Sequence, residues 1–254
     1  MDVRRTWRAA AMAVLAVGTA VVVAGPARAV TPTDDGPPTI TFGVWRYTVG
    51  TVLSDATSAA RVPITITWSQ HDSDGIVEQQ GYFDDSQGFH DEYSNYPEPG
   101  DPPYESFTTT MPANGSATFR LQSIDGQDNV AFDSSSRGST LAQQGTFSRS
   151  GAWRSRADGR FSGGYAIVSS RAGDSATVWF TGSSFALVTR TGPSAGRARI
   201  FVGGNQVAPI DTRSATTAFR VLSFQRQWAS SGTHTVRVVA VSGAPVALDA
   251  AVSN

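Results

Sequence analysis

The segment Val62-Pro-Ile-Thr-Ile-Thr-Trp68 alternates strictly, with Ile64, Ile66 and Trp68 facing one way and Thr65 and Thr67 the other. A period of two in β-branched and aromatic residues is the pattern of a half-buried strand. Pro63 suits its start, where no ladder donor is missed. Thr118 to Gln122 repeats the pattern, with Phe119 and Leu121 inward, just after the turn signal Asn114-Gly115. Strand patterns recur at 175–181, 197–202, 219–224, 233–241 and 246–252. Ala198, Ile200 and Val202 share a face, and Gly203-Gly204 then supplies the positive-φ residues of a tight hairpin. No stretch between Val30 and Asn254 sustains a helical period, so the sequence predicts an all-β protein.

Arg4, Arg5 and Arg8 precede an apolar run from Ala9 to Ala24, and Ala27-Arg28-Ala29 offers a small-x-small cleavage site. These three parts predict a signal peptide over 1–29 and a secreted protein. The run is short for a bilayer span, and nothing later is apolar enough to be one, so no membrane span is expected in the mature chain. A proline-rich lead-in, 30–37, follows. The small polar stretch Ser134-Ser-Ser-Arg-Gly-Ser-Thr140 reads as a linker, 134–142, between a first β-sandwich at 38–133 and a second at 143–254. Charge separates the halves. Residues 38–142 hold 14 acids and 4 Arg, a net of −10, and residues 143–254 hold 12 Arg and 4 acids, a net of +8. The whole chain carries only −1, which gives no electrostatic case for nucleic acid. With no Cys there are no disulfides, thiolate metal sites or cysteine nucleophiles.

Two resemblances sharpen this outline. Ile66-Thr-Trp-Ser-Gln-His-Asp-Ser-Asp-Gly-Ile76 and Phe119-Arg-Leu-Gln-Ser-Ile-Asp-Gly-Gln-Asp-Asn129 give the first half a pattern that resembles bacterial immunoglobulin-like or fibronectin type III-like modules. Asp125 and Asn129 match that pattern, and Asp128 stands where Gly is usual. In the second half, Thr177-Val-Trp-Phe-Thr-Gly-Ser-Ser-Phe, Arg190-Thr-Gly-Pro-Ser-Ala-Gly-Arg-Ala-Arg-Ile-Phe-Val202, Arg220-Val-Leu-Ser-Phe and Trp228-Ala-Ser-Ser-Gly-Thr-His-Thr-Val236 occur in order. This half is similar to the galactose-binding-like, carbohydrate-binding-module-like jelly rolls of secreted actinobacterial proteins. Its hairpin reads Gly203-Gly204 where that family usually has Asp-Gly, so any ligand role of the Asp is lost. The resemblance implies a jelly roll and a glycan-binding role.

Sugar binding needs aromatic rings against the apolar face of a pyranose and side chains that hydrogen-bond its hydroxyls. Trp153, Arg154, Tyr165, Arg190, Arg197 and Arg220 are the candidates in the second half, whereas Trp179 and Trp228 read as core. A long insert, 82–104, interleaves Tyr82, Phe89, Tyr93, Tyr96 and Tyr104 with acids, and offers either an interaction loop for a protein partner or a lid on the sandwich. Asp72, Asp74, Asp125, Asp128 and Asn129 could gather oxygens for a structural Ca²⁺, or simply cap turns. No other cofactor is expected. His71, His90 and His234 form no metal-ligand spacing, and His234 is expected to serve in a structural hydrogen bond. There is no Gly-x-Ser-x-Gly elbow. The expected function is therefore non-catalytic attachment to an extracellular glycan or cell-envelope polymer through the jelly-roll loops. A protein-interaction module using the insert is the alternative, and a glycoside hydrolase built on the acids is a third class.

Overall fold

The computed structural model describes residues 36–54, 59–97, 105–241 and 243–254. The expected leader, most of the lead-in and Tyr104 lie outside the described residues. The strands are β1 (Thr39–Phe42), β2 (Arg46–Tyr47), β3 (Arg61–His71), β4 (Ile76–Asp85), β5 (His90–Asn95), β6 (Ser106–Pro112), β7 (Gly115–Asp125) and β8 (Val130–Gln143). They continue with β9 (Ser148–Ser150), β10 (Arg154–Ala157), β11 (Tyr165–Ser169), β12 (Ser175–Thr191), β13 (Arg197–Val202), β14 (Asn205–Asp211), β15 (Ala218–Ala240) and β16 (Val246–Ser253). Only two short 3-10 turns, Gln144–Thr146 and Ser162–Gly164, interrupt them, so the described chain is all-β. No helix among the described residues is long and apolar enough to cross a membrane.

The alternation read from the sequence sets the faces. Val62, Ile64, Ile66 and Trp68 of β3 and Phe119 and Leu121 of β7 are buried. β3 pairs with β1, β2 and β6 in one sheet. β5, β4, β7 and β8 form a second layer in that order, and β8 carries the ladder on to β16, β12, β15, β13 and β14. Gly81 of β4 is a requirement of this packing. A Cβ there would lie 2.6 Å from Cζ of Phe119, inside the ring stack of Phe107 and Phe119. The hairpin between β13 and β14 turns on Gly203 and Gly204, both at positive φ (55° and 87°), as that two-residue loop demands.

Three expectations need correction. The stretch 134–142 is strand, not linker. β8 runs through it, pairing with β7 from Val130 to Ser139 and with β16 from Thr140 to Gln143. Small polar residues suit an edge strand with a solvent-facing side as well as they suit a flexible connection. The insert, as far as it is described, is a hairpin. Tyr82 to Asp85 end β4, Ser86-Gln87-Gly88 turn with Gly88 at φ 79°, and β5 returns along β4. The expected strands at 219–224 and 233–241 are one element, β15, whose register against β12 jumps where Gly182 pairs with Gly232 and Ser184 with Gln227.

The halves also do not keep separate cores, because residues 34–254 form one unit. The run Phe185-Ala-Leu-Val-Thr189 of β12 and all of β16 are buried on both faces. Phe185, Leu187, Leu248 and Ala251 join Val178, Ile200, Val236, Val238 and Trp153 in one core. Ala186, Val188, Leu222, Ala250 and Val252 face the other way and join Trp45, Ile64, Trp68, Phe83, Phe119 and Leu121. Phe185–Thr189 of β12 and the whole of β16 thus form a middle layer with a buried face on each side.

Candidate functional site

The most site-like surface is the outer face of the β5–β4–β7–β8 sheet. Side chains alternate across a sheet, so the residues opposite the buried Phe83, Phe119 and Leu121 point to solvent. One cross-strand row holds Ser94, Gln80, Gln122 and Phe132, and the next holds Glu92, Tyr82, Arg120 and Ser134. Phe132 is 74% exposed and Tyr82 is 39% exposed, in strands where large rings ordinarily turn inward. Between them lies a shallow groove of about 400 Å³ lined by Tyr82, Arg120, Leu121, Gln122, Phe132, Asp133 and Ser134. The rings sit two strand spacings apart and two residues offset, so about 10 Å across and about 7 Å along.

Hydrogen bonds fix the polar groups around the groove. The Tyr82 hydroxyl donates to Oε1 of Gln80 (2.6 Å), and Nε2 of Gln80 donates to Oε1 of Glu78 (2.5 Å). Arg120 and His90 both pair with the carboxylate of Asp84. A rigid strand platform with positioned donors and acceptors loses little entropy on binding. Chemically it offers two apolar ring faces flanked by amide, guanidinium and carboxylate groups.

Of the insert residues, Tyr82 lies on this face, and Tyr96, 64% exposed, follows the end of β5. Tyr93 instead turns inward. Its ring packs edge-on against Trp68 and its hydroxyl donates to Oε1 of the buried Gln79 (3.1 Å). Phe89 lies beneath the guanidinium of Arg61, 4.2 Å from the ring centroid, at the hairpin turn. Phe132, Gln122 and Arg120 were not singled out by sequence reasoning. The signal was available in the alternation Val130, Phe132, Ser134 that follows the Asp125 turn.

The six residues expected at the jelly-roll loops do not assemble into one site. Trp153 is only 8% exposed and belongs to the second core, which removes it as a stacking ring. Arg154 is exposed on β10, opposite Val168. Tyr165 is 49% exposed at the start of β11. Arg197 pairs with Asp211 across the β13–β14 hairpin (3.0 Å), away from the others in the ladder.

Arg190 and Arg220 do converge. Two bulges flank Thr189 of β12. On one side Phe219 and Arg220 stand against the single Arg190, and on the other Asp249 is the extra residue of β16. Arg220 holds φ at 58°, a left-handed conformation rare outside glycine. The guanidiniums of Arg160 and Arg190 lie over the Phe219 ring at 4.1 and 5.5 Å. Asp249 is fully buried, and its Oδ1 accepts the Ser162 backbone N–H (2.9 Å). Oδ2 of Asp249 and Nε of both Arg190 and Arg220 are buried without a hydrogen bond. Burial pushes the Asp249 carboxyl up to about 8, against the pull of the Ser162 N–H and Arg220.

The expected calcium residues are partly gathered. The β3–β4 and β7–β8 turns lie side by side, and carboxylate oxygens of Asp72, Asp74 and Asp125 lie within 4.8 Å of one another. Asp128 is not among them. It is exposed at φ 66° and shapes the turn. Asp125 caps that turn, with Oδ1 accepting the N–H of Gln127 (2.8 Å) and Asn129 (2.9 Å) and Oδ2 accepting Nδ2 of Asn129 (3.0 Å). Burial opposes its charge, but these bonds outweigh burial and hold the carboxyl below its ordinary value. Three carboxylates are part of the six to eight oxygens calcium takes. Asp125→Ala is expected to cost about 1–2 kcal/mol by removing the acceptor of three part-buried turn hydrogen bonds, read as a lower denaturation midpoint with or without added Ca²⁺.

Two aromatic residues also sit differently from expectation. Trp179 is 56% exposed on β12. His234 stacks on Trp228, with centroids 4.0 Å apart, and its Nε2 makes no hydrogen bond, so packing rather than a polar bond holds it.

No protein-family model matches the sequence, and no curated protein matches it. Several solved structures are similar to the chain over just under half its length. A family 35 carbohydrate binding module from an environmental isolate is 19% identical, with a TM-score of 0.38, over 45% of this chain and 93% of its own. A family two carbohydrate esterase from Cellvibrio japonicus is 13% identical over 46% of this chain and 33% of its own (TM-score 0.36). A two-domain esterase active on acetylated mannans is 18% identical over 45% of this chain and 36% of its own (TM-score 0.38). The chain therefore spans about a third of the length of these esterases.

Proposed function

We propose that this chain is a secreted, non-catalytic glycan-binding protein that attaches to an extracellular or cell-envelope polysaccharide through the Tyr82–Phe132 groove. The observation that carries the reading is the pair of solvent-facing rings on a rigid sheet, separated by Arg120 and Gln122. Rings at that spacing would stack on more than one sugar of a chain, and the side chains between them would bond its hydroxyls. The signal-peptide pattern at 1–29 supports export to where such polymers occur. In this reading the first half is a variant immunoglobulin-like or fibronectin-like sandwich and the second an actinobacterial jelly roll, fused through β8 and a shared middle sheet. The binding site moves from the expected jelly-roll loops to the sheet of the first half, because Trp153 is in the core.

The test is retention on a panel of insoluble and soluble cell-wall polysaccharides by affinity electrophoresis. Tyr82→Ala and Phe132→Ala are each expected to weaken retention about tenfold, the loss of one ring stacking, with the melting temperature unchanged. Retention of no polysaccharide, or retention indifferent to both substitutions, would reject this reading. If instead both substitutions abolish capture of a purified protein partner while no glycan binds, the interaction-module reading replaces it.

A further inference from the structure

The outer face of the β12–β15–β13 ladder carries a second exposed ring in a different chemical setting. Thr177, Trp179 and Thr181 of β12 point away from the buried Ala176 and Val178. Thr235 lies directly opposite Trp179, with Thr233 and Arg237 at the diagonals. The register therefore places four threonines and Arg237 next to Trp179 along β12 and on the β15 side. Arg237 stacks on Phe201 of β13, 4.6 Å from the ring centroid, and Arg199 points outward from the same strand. Asp211 is the one carboxylate the ladder places on this face among the described residues, and it is already engaged by Arg197 and Arg213.

An exposed Trp in mid-strand sacrifices a large burial gain, and its neighbours are hydroxyls rather than apolar groups that would make a protein-docking patch. Hydroxyl donors and acceptors around an indole face match a pyranose ring, and the flanking arginines add positive potential without a competing acid. The groove on the first half has the opposite balance, with Glu78, Asp84 and Glu92 against Arg120.

We infer that the Trp179 face is a second saccharide-binding platform, selective for an acidic polysaccharide, distinct from the Tyr82–Phe132 groove. The indole stacks on a sugar ring, and Arg199 and Arg237 attract its carboxylate or sulfate groups. The chain then has two independent saccharide-binding faces with opposite charge preference, and it can bridge two polymer strands.

The experiment titrates the full chain carrying both Tyr82→Ala and Phe132→Ala, so that the groove has lost both rings, with polygalacturonate, dextran sulfate and neutral dextran by isothermal calorimetry. Both acidic polymers are expected to bind and neutral dextran to bind at least about tenfold more weakly. Trp179→Ala is expected to weaken both acidic polymers about tenfold, and the exposed position leaves the melting temperature unchanged. Arg237→Gln is expected to reduce the dependence of binding on salt. Binding that Trp179→Ala leaves intact is general charge attraction and overturns the inference. Neutral dextran bound as tightly as the acidic polymers, or no acidic polymer bound at low salt, also overturns it. Failure of the groove, tested by Tyr82→Ala in a Trp179→Ala background, is read separately.

Discussion

Replacing Asp249 with Asn makes the protein more stable at pH 8 by several kcal/mol and removes most of the pH dependence above pH 4. The carboxyl is fully buried at a bulge, and its folded value is raised from 3.8 to about 8. Below the unfolded value both states hold the proton and the group costs nothing. As pH rises from about 4 to 8 the unfolded chain ionises while the folded one does not. Stability then falls by about 1.4 kcal/mol per pH unit, or about 6 kcal/mol in all. Above pH 8 the loss is complete. Asn keeps the acceptor for the Ser162 N–H and carries no charge, so wild type and variant should be equally stable near pH 4 and diverge upward. The other perturbed carboxylates act in the opposite sense. Hydrogen bonds hold Asp125 and Asp174 below their ordinary values, so their contribution is present above about pH 4 and is lost as pH falls. Stability is expected to peak on the acid side of neutrality. Urea midpoints from pH 3 to 9 check this, and wild type and Asp249→Asn running parallel across that range would show that Asp249 ionises as an ordinary carboxyl.

Leu222→Ala is expected to cost about 2–5 kcal/mol, the range for truncating a fully buried leucine that leaves a cavity. Leu222 is fully buried on β15, in the second half of the sequence, yet it packs in the core of the first. The backbone follows suit, since Leu222 N–H donates to Thr51 O (2.9 Å) and Gly50 N–H donates to Leu222 O (2.8 Å). Amide hydrogen exchange should therefore show β3 and β7 losing protection together with β12 and β16. Loss confined to β12, β15 and β16, with β3 and β7 unchanged, would mean that the halves unfold separately after all.

Much of the fold was legible because alternation is a local signal. Ile64, Ile66, Phe119, Leu121, Ala198 and Ile200 are inward as their spacing dictates. What alternation does not report is which surface covers a strand. Phe185-Ala-Leu-Val-Thr189 reads as a short continuous apolar run, the mark of burial on both faces, but only the register shows that its two faces serve different cores. The Ser-rich stretch before Thr140 carries no apolar side chain to announce a strand, so long-range pairing with β7 and β16 decides it. The candidate site was half legible. Tyr82 stood out by composition, but its partners Arg120 and Phe132 come from strands about 40 and 50 residues away, joined to it only by sheet register. Trp153 and Trp179 exchanged places between expectation and structure, since an indole suits core and ligand face equally and only its strand parity assigns it.

On the proposed reading, the open sheet of the first half, rather than the loops of the second, engages a polysaccharide. Backbone amide NMR during titration with a soluble fragment of whichever polysaccharide retains the protein tests it most directly. With Trp179→Ala in place to weaken the other face, the largest shifts are expected at residues 80–82, 120–122 and 132–134 on three adjacent strands. Shifts confined to 154–165, 190 and 220, with those three segments unmoved, would contradict it.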